Sequence, residues 1–155
     1  MRNLAKSVAL AVLISLAVTL PGPGAFAADG AGDIFAAARD GDADVVAAFL
    51  KEGVPINARD FNRETPLMHA ARVGKVEVVR ILNNKGANLN ARAFLGETAL
   101  MLAARGGHIK VVRLLVRAGA HVNLKAANGF TALTEASLKK HREVVEFLKE
   151  NGARD

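Results

Sequence analysis

Thr65-Pro66-Leu67-Met68-His69-Ala70-Ala71 returns as Thr98-Ala99-Leu100-Met101-Leu102-Ala103-Ala104 and again as Thr131-Ala132-Leu133-Thr134-Glu135-Ala136-Ser137, each time 33 residues further on. The same step joins Gly53, Gly86, Gly119 and Gly152, and also Asn57, Asn90 and Asn123. Phe49, Leu82, Leu115 and Leu148 keep it, as do the pairs Val45-Val46, Val78-Val79, Val111-Val112 and Val144-Val145. A fixed period of this length marks stacked supersecondary units, none of which can bury its apolar face alone.

Each unit reads as helix, turn, helix, projecting turn. Thr65 is placed to cap a short first helix through its side-chain oxygen, and Pro66 takes the first helical position, where a missing N–H costs little. Leu67, Ala70 and Ala71 give that helix a narrow apolar face of small residues, which lets neighbours approach closely. Gly74 supplies the left-handed residue that ends it. A second helix follows, with Val76, Val79 and Leu82 as its apolar stripe and Glu77 and Arg80 outward. Gly86 closes the second helix, and the stretch from Asn88 to Glu97 turns toward the next threonine.

A 33-residue unit with Thr-Pro-Leu, Ala-Ala, Gly and Gly-Ala-x-x-Asn at these places resembles the ankyrin repeat. The resemblance covers about residues 32–155 and implies an all-α solenoid of about four helix-turn-helix units with projecting turn fingers. Its units fall at about 32–64, 65–97, 98–130 and 131–155. The last carries Glu143, Glu146, Lys149 and Glu150, a polar outer face suited to ending a stack. Three positions depart from the pattern. Arg63 replaces the finger glycine seen at Gly96 and Gly129, which leaves room for a different turn type. Lys140 stands where Gly41, Gly74 and Gly107 end the inner helix, and His69 stands where the next repeat has Leu102.

Ahead of the repeats, Arg2 and Lys6 precede an uncharged run from Val8 to Leu20, followed by Pro21-Gly22-Pro23-Gly24 and then Ala25-Phe26-Ala27. This is the layout of a secretory signal peptide, with cleavage expected after Ala27. The 13-residue run rises about 20 Å as a helix, short of a bilayer core of ~30 Å. The expected mature domain is therefore 28–155, periplasmic or secreted from a bacterium, with no stable membrane insertion. It contains no cysteine, so packing alone must hold it. Loss of Arg2 and Lys6 lowers the formal charge from +6 to +4, a modest excess that favours acidic partners and argues against a nucleic-acid binder.

The residues offer no reaction chemistry. There is no thiol, and the four histidines fall where the repeat already explains a polar or helix-start residue. His108 and His141 hold equivalent positions about 10 Å apart, too far to share a metal held at ~2.1 Å per ligand. Ser137 replaces a packing alanine, and the periodic glycines form no phosphate loop. Asp60, Glu64 and Glu97 lie in fingers and turns, where a solvated surface role is expected. The chain is read as no enzyme, with no catalytic, metal or cofactor site.

Partners of ankyrin proteins commonly contact the finger tips and the exposed side of the inner helices. Here those positions carry Arg39, Arg72 and Arg105 at one inner-helix place and Arg59, Arg92 and Lys125 at the base of the fingers. Phe61 and Phe94 share one finger position, with Leu95 and Phe130 nearby. Two basic rows beside exposed aromatics suit an acidic surface with apolar knobs, because Arg grips carboxylates at two points and aromatics anchor interfaces. The resemblance thus implies an exported, monomeric module that binds and regulates or protects another exported or envelope protein. A secreted effector acting on a host protein, or an electrostatic binder of an anionic envelope polymer, would be the alternatives.

Overall fold

The computed structural model describes residues 31–154. The proposed signal peptide, 1–27, lies outside the described residues. Among the described residues eight helices form four pairs: α1 (Ala31–Asp40) with α2 (Ala43–Lys51), α3 (Pro66–Arg72) with α4 (Val76–Asn84), α5 (Ala99–Arg105) with α6 (Ile109–Arg117), and α7 (Ala132–Leu138) with α8 (Arg142–Glu150). No strand occurs among the described residues. None of these helices is long and apolar enough to cross a membrane.

Local chemistry sets the helix boundaries. Thr65, Thr98 and Thr131 each adopt extended backbone, and their side-chain oxygens accept the N–H of Met68, Met101 and Thr134 at 3.4, 3.4 and 3.2 Å. Such caps satisfy an N–H that has no partner inside the helix. The inner helices end on left-handed glycines at Gly41, Gly74 and Gly107. Lys140 keeps the same geometry at φ 60° despite its side chain. Arg63 does too, at φ 60° beside 76° for Gly96 and 81° for Gly129, so the finger does not change turn type as its sequence allowed. The repeated hydrogen bonds on either side hold that backbone.

Small residues decide how the pairs stack. Ala70, Ala71, Ala103 and Ala104 are fully buried between the inner helices α1, α3, α5 and α7, which pack more closely on one another than the outer helices do. Closer packing on one side curves the array and makes the inner-helix face concave. In the outer helix α4 the buried stripe is Val78, Val79 and Leu82, with Val76 only half-buried. Val78 joins the stripe because each outer helix is covered both by its own inner helix and by its neighbours in the stack. Ser137 replaces the buried alanine of earlier repeats and is exposed.

A second ladder links the turns. Asn57 Oδ1 accepts the N–H of Asn88 at 2.9 Å, Asn90 Oδ1 that of His121 at 2.8 Å, and Asn123 Oδ1 that of Arg154 at 2.8 Å. The periodic asparagines are therefore inter-repeat acceptors. At the helix turns, His108 Nε2 donates to the Arg72 carbonyl and His141 Nε2 to the Arg105 carbonyl, both at 3.0 Å. Those imidazoles lie where a Cβ on Gly74 or Gly107 would stand, at 2.5 and 2.6 Å, so these glycines are needed for space as well as for φ.

Candidate functional site

The fingers project from the stack and are tied edge to edge. The Phe94 N–H donates to the Asn62 carbonyl at 2.8 Å and the Ala127 N–H to the Leu95 carbonyl at 2.9 Å. These bonds fix the finger backbones while leaving the tips outside. Phe61 is 100% exposed, Phe94 75% and Leu95 59%. Phe130, in the last finger, is half-buried. The other exposed large apolar side chains among the described residues, Leu138 at 59% and Val73 at 38%, lie on or beside inner helices, so these three are concentrated on two fingers tied to each other.

The finger-base cations are exposed, and the two arginines are held by carbonyls. Arg59 Nη1 donates to the Arg63 and Arg92 carbonyls at 3.1 and 2.8 Å, and Arg92 Nη2 donates to the Lys125 carbonyl at 2.6 Å. A neutral acceptor orients a guanidinium without cancelling its charge. Arg59, Arg92 and Lys125 therefore keep a positive row beside the apolar tips.

The inner-helix row differs from its sequence expectation. Arg72 is paired with Glu64, which is buried. Arg105 meets Glu97, the last residue of the preceding unit, and grips Glu135 of the next at 2.7 and 2.9 Å. Hydrogen bonding to Glu135 is the largest cause that raises the Arg105 pKa above its ordinary value, against an opposing desolvation, with Glu97 adding to it. Arg39 alone is mostly free, with Asp40 at 4.0 Å. The inner face is thus no free basic row, because its arginines neutralise carboxylates that the repeat has buried.

Those carboxylates are the functional-looking groups that spacing did not place. Glu64 and Glu97 are not solvated, and Glu135 is buried. His69 Nε2 lies 2.9 Å from Asp60 Oδ2 and 3.6 Å from Glu64, and its ring packs against Phe35 at 5.3 Å between centroids. Asp60 Oδ1 also accepts the N–H groups of Asn62 and Glu64 at 2.9 and 2.8 Å. Asp60, Glu64 and His69 bring ligand atoms within 4.8 Å of one another. Arg72 sits against the same Glu64, so the protein supplies its own cation, and the set acts as an ion-pair brace at the root of the finger. A sequence clue did exist: acids at 60 and 64 precede His69 and Arg72, which the chain returns to the same side after the cap.

A family model for ankyrin repeats, in three copies, matches residues 29–93 and 89–155. A search of curated proteins found no match at a significant level. The 33-residue step, the capped inner helices, the left-handed helix ends and the row of fingers all lie within the matched span. The chain belongs to the ankyrin-repeat family, whose stacked units are a scaffold for protein–protein interaction.

Proposed function

We propose that the protein is an exported, non-catalytic binding module that holds another exported or envelope protein by its fingers and regulates or protects it. The observation that carries this reading is the exposed apolar strip of Phe61, Phe94 and Leu95 beside the row of Arg59, Arg92 and Lys125. Aromatics give large contact area at small entropic cost, and adjacent Arg gives directional bonds to carboxylates. The preferred partner surface is apolar at its centre with carboxylates along one rim. The inner helices contribute a shape-complementary wall, since Arg72 and Arg105 are already neutralised. Export rests on the N-terminal sequence alone, and a monomer is the state proposed for the free protein.

Affinity capture from an envelope extract tests the reading, with mature 28–155 as bait and a Phe61→Ser/Phe94→Ser/Leu95→Ser control. One protein retained by the first bait and lost from the second supports the finger site. Equal retention on both overturns it. Charge reversal at Arg105 is unsuitable for the control, because it would place a third carboxylate against Glu97 and Glu135. The mass of the chain recovered from the periplasm or medium tests export, with Ala28 as the expected first residue.

A further inference from the structure

A second patch of positive charge, apart from the finger row, lies on an outer helix. Helix α6 carries Lys110, Arg113 and Arg117 and no acidic residue. The internal repeat shows how unusual this is. At the place of Lys110 the other three units have Asp44, Glu77 and Glu143, and at the place of Arg117 they have Lys51, Asn84 and Glu150, so α6 alone among the outer helices lacks an acid. Positions i, i+3 and i+7 share one helix face. Arg80 of α4 completes the rim of a groove of about 510 Å³ between α4 and α6, floored by Val76, Leu114 and Ala118.

The pairing within the groove is uneven. Arg80 has Glu77 at 3.4 Å, and Arg113 has Glu143 at 3.4 Å and stacks over the Phe147 ring at 4.8 Å. No ion pair to Lys110 or Arg117 occurs among the described residues. These two cations stand about 10.5 Å apart along the helix axis, the rise of two turns. Glu77 on one side and Glu143 and Glu150 on the other bound the patch. A broad polyanion such as a membrane or a nucleic-acid duplex would press its charges against those carboxylates. A narrow occupant lying along the groove would not.

We propose that the α4/α6 groove docks an acidic amphipathic helix of a partner protein. Acidic side chains two turns apart on such a helix match the separation of Lys110 and Arg117, and an apolar residue between them falls on Leu114 and Val76. A helix laid in an apolar groove between two helices is read by residues at i, i+3, i+4 and i+7. The charges set register and encounter rate, and the apolar contact adds the area. The groove is separate from the finger strip and does not depend on it.

The test uses mature 28–155 and a fluorescein-labelled helical peptide with Glu at i and i+7 and Leu at i+4, neutral elsewhere. A second peptide has the same composition with its glutamates on opposite faces, and phosphatidylglycerol vesicles form a third probe. The phased peptide is expected to bind about tenfold or more tightly than the dephased one, and Lys110→Glu/Arg117→Glu is expected to remove that preference. The variant places a residue type already borne by Glu77, Glu143 and Glu150, so folding is preserved. Lys139→Glu/Arg154→Glu, with the same net charge change on exposed residues elsewhere, is expected to stay within about twofold. No binding, equal binding of both peptides, equal weakening by both variants, or tighter binding to vesicles than to the phased peptide would each overturn the proposal.

Discussion

Arg105 and Glu135, 30 residues apart, join two inner helices by a two-point contact, Nη2 to Oε1 at 2.7 Å and Nε to Oε2 at 2.9 Å. The same guanidinium also meets Glu97 at the root of the finger that precedes α5. One side chain therefore ties together a finger, the inner helix α5 and the inner helix α7 of the next repeat. Because Glu135 is buried, the pair matters chiefly through what its loss would leave behind: a carboxylate without water or a cation.

Arg105→Ala is accordingly expected to lower stability by about 2–3 kcal/mol, less than a fully buried pair would lose because the guanidinium is a third exposed. Arg105→Lys should recover only part of this, since one ammonium cannot span both carboxylate oxygens. Arg39→Ala, at the equivalent but exposed position, should change stability by less than about 0.5 kcal/mol. Urea unfolding of the three variants checks the order. An Arg105→Ala midpoint equal to wild type would show that the bridge carries no net stabilisation.

Gly107→Ala combines two penalties. Its φ of 70° strains any side chain, and the new Cβ would lie 2.6 Å from the His141 ring. Gly53→Ala meets nothing within 4 Å and carries only the conformational cost, about 1 kcal/mol. Gly107→Ala should therefore unfold at clearly lower temperature than Gly53→Ala. Adding His141→Ala should return part of the difference, and strict additivity in that double-mutant cycle would refute the steric account.

Lys140 holds φ 60° in the last repeat, where the other three units have glycine. Lys140→Gly should raise stability by up to about 1 kcal/mol through relief of that backbone strain, less the entropy glycine gains when unfolded. Thermal unfolding gives the sign directly. A lower Tm for the variant would mean that the lysine side chain contributes more than its backbone costs.

Phe61→Ser removes apolar area that the fold leaves uncovered, and Phe94→Ser removes area of which three quarters is exposed. Their Tm should stay at the wild-type value while partner retention falls. A matched fall in Tm would place the rings in packing rather than recognition, and circular dichroism melts alongside the capture experiment separate the two.

The repeat, its helix pairs, the threonine caps and the helix-ending glycines were legible in the residues, because each is local or recurs at a fixed step. A period needs no coordinates to be counted, and a cap or a left-handed residue is settled within four positions of itself. The finger aromatics were legible for the same reason: Phe61 and Phe94 occupy the step that carries them outward. What the periodicity could not assign was the state of the charges. Arg72 and Arg105 look like free cations along a row, and Glu64, Glu97 and Glu135 look like scattered surface acids, until the fold brings each carboxylate to its arginine. That pairing spans eight residues from finger to following inner helix and 30 between inner helices, and depends on how far one inner helix stands from the next. Sequence alone determined the scaffold and where its fingers stand. Tertiary structure decided which of its charges are spent inside the stack and which remain for a partner, because the strength of a charge is set by what is packed against it.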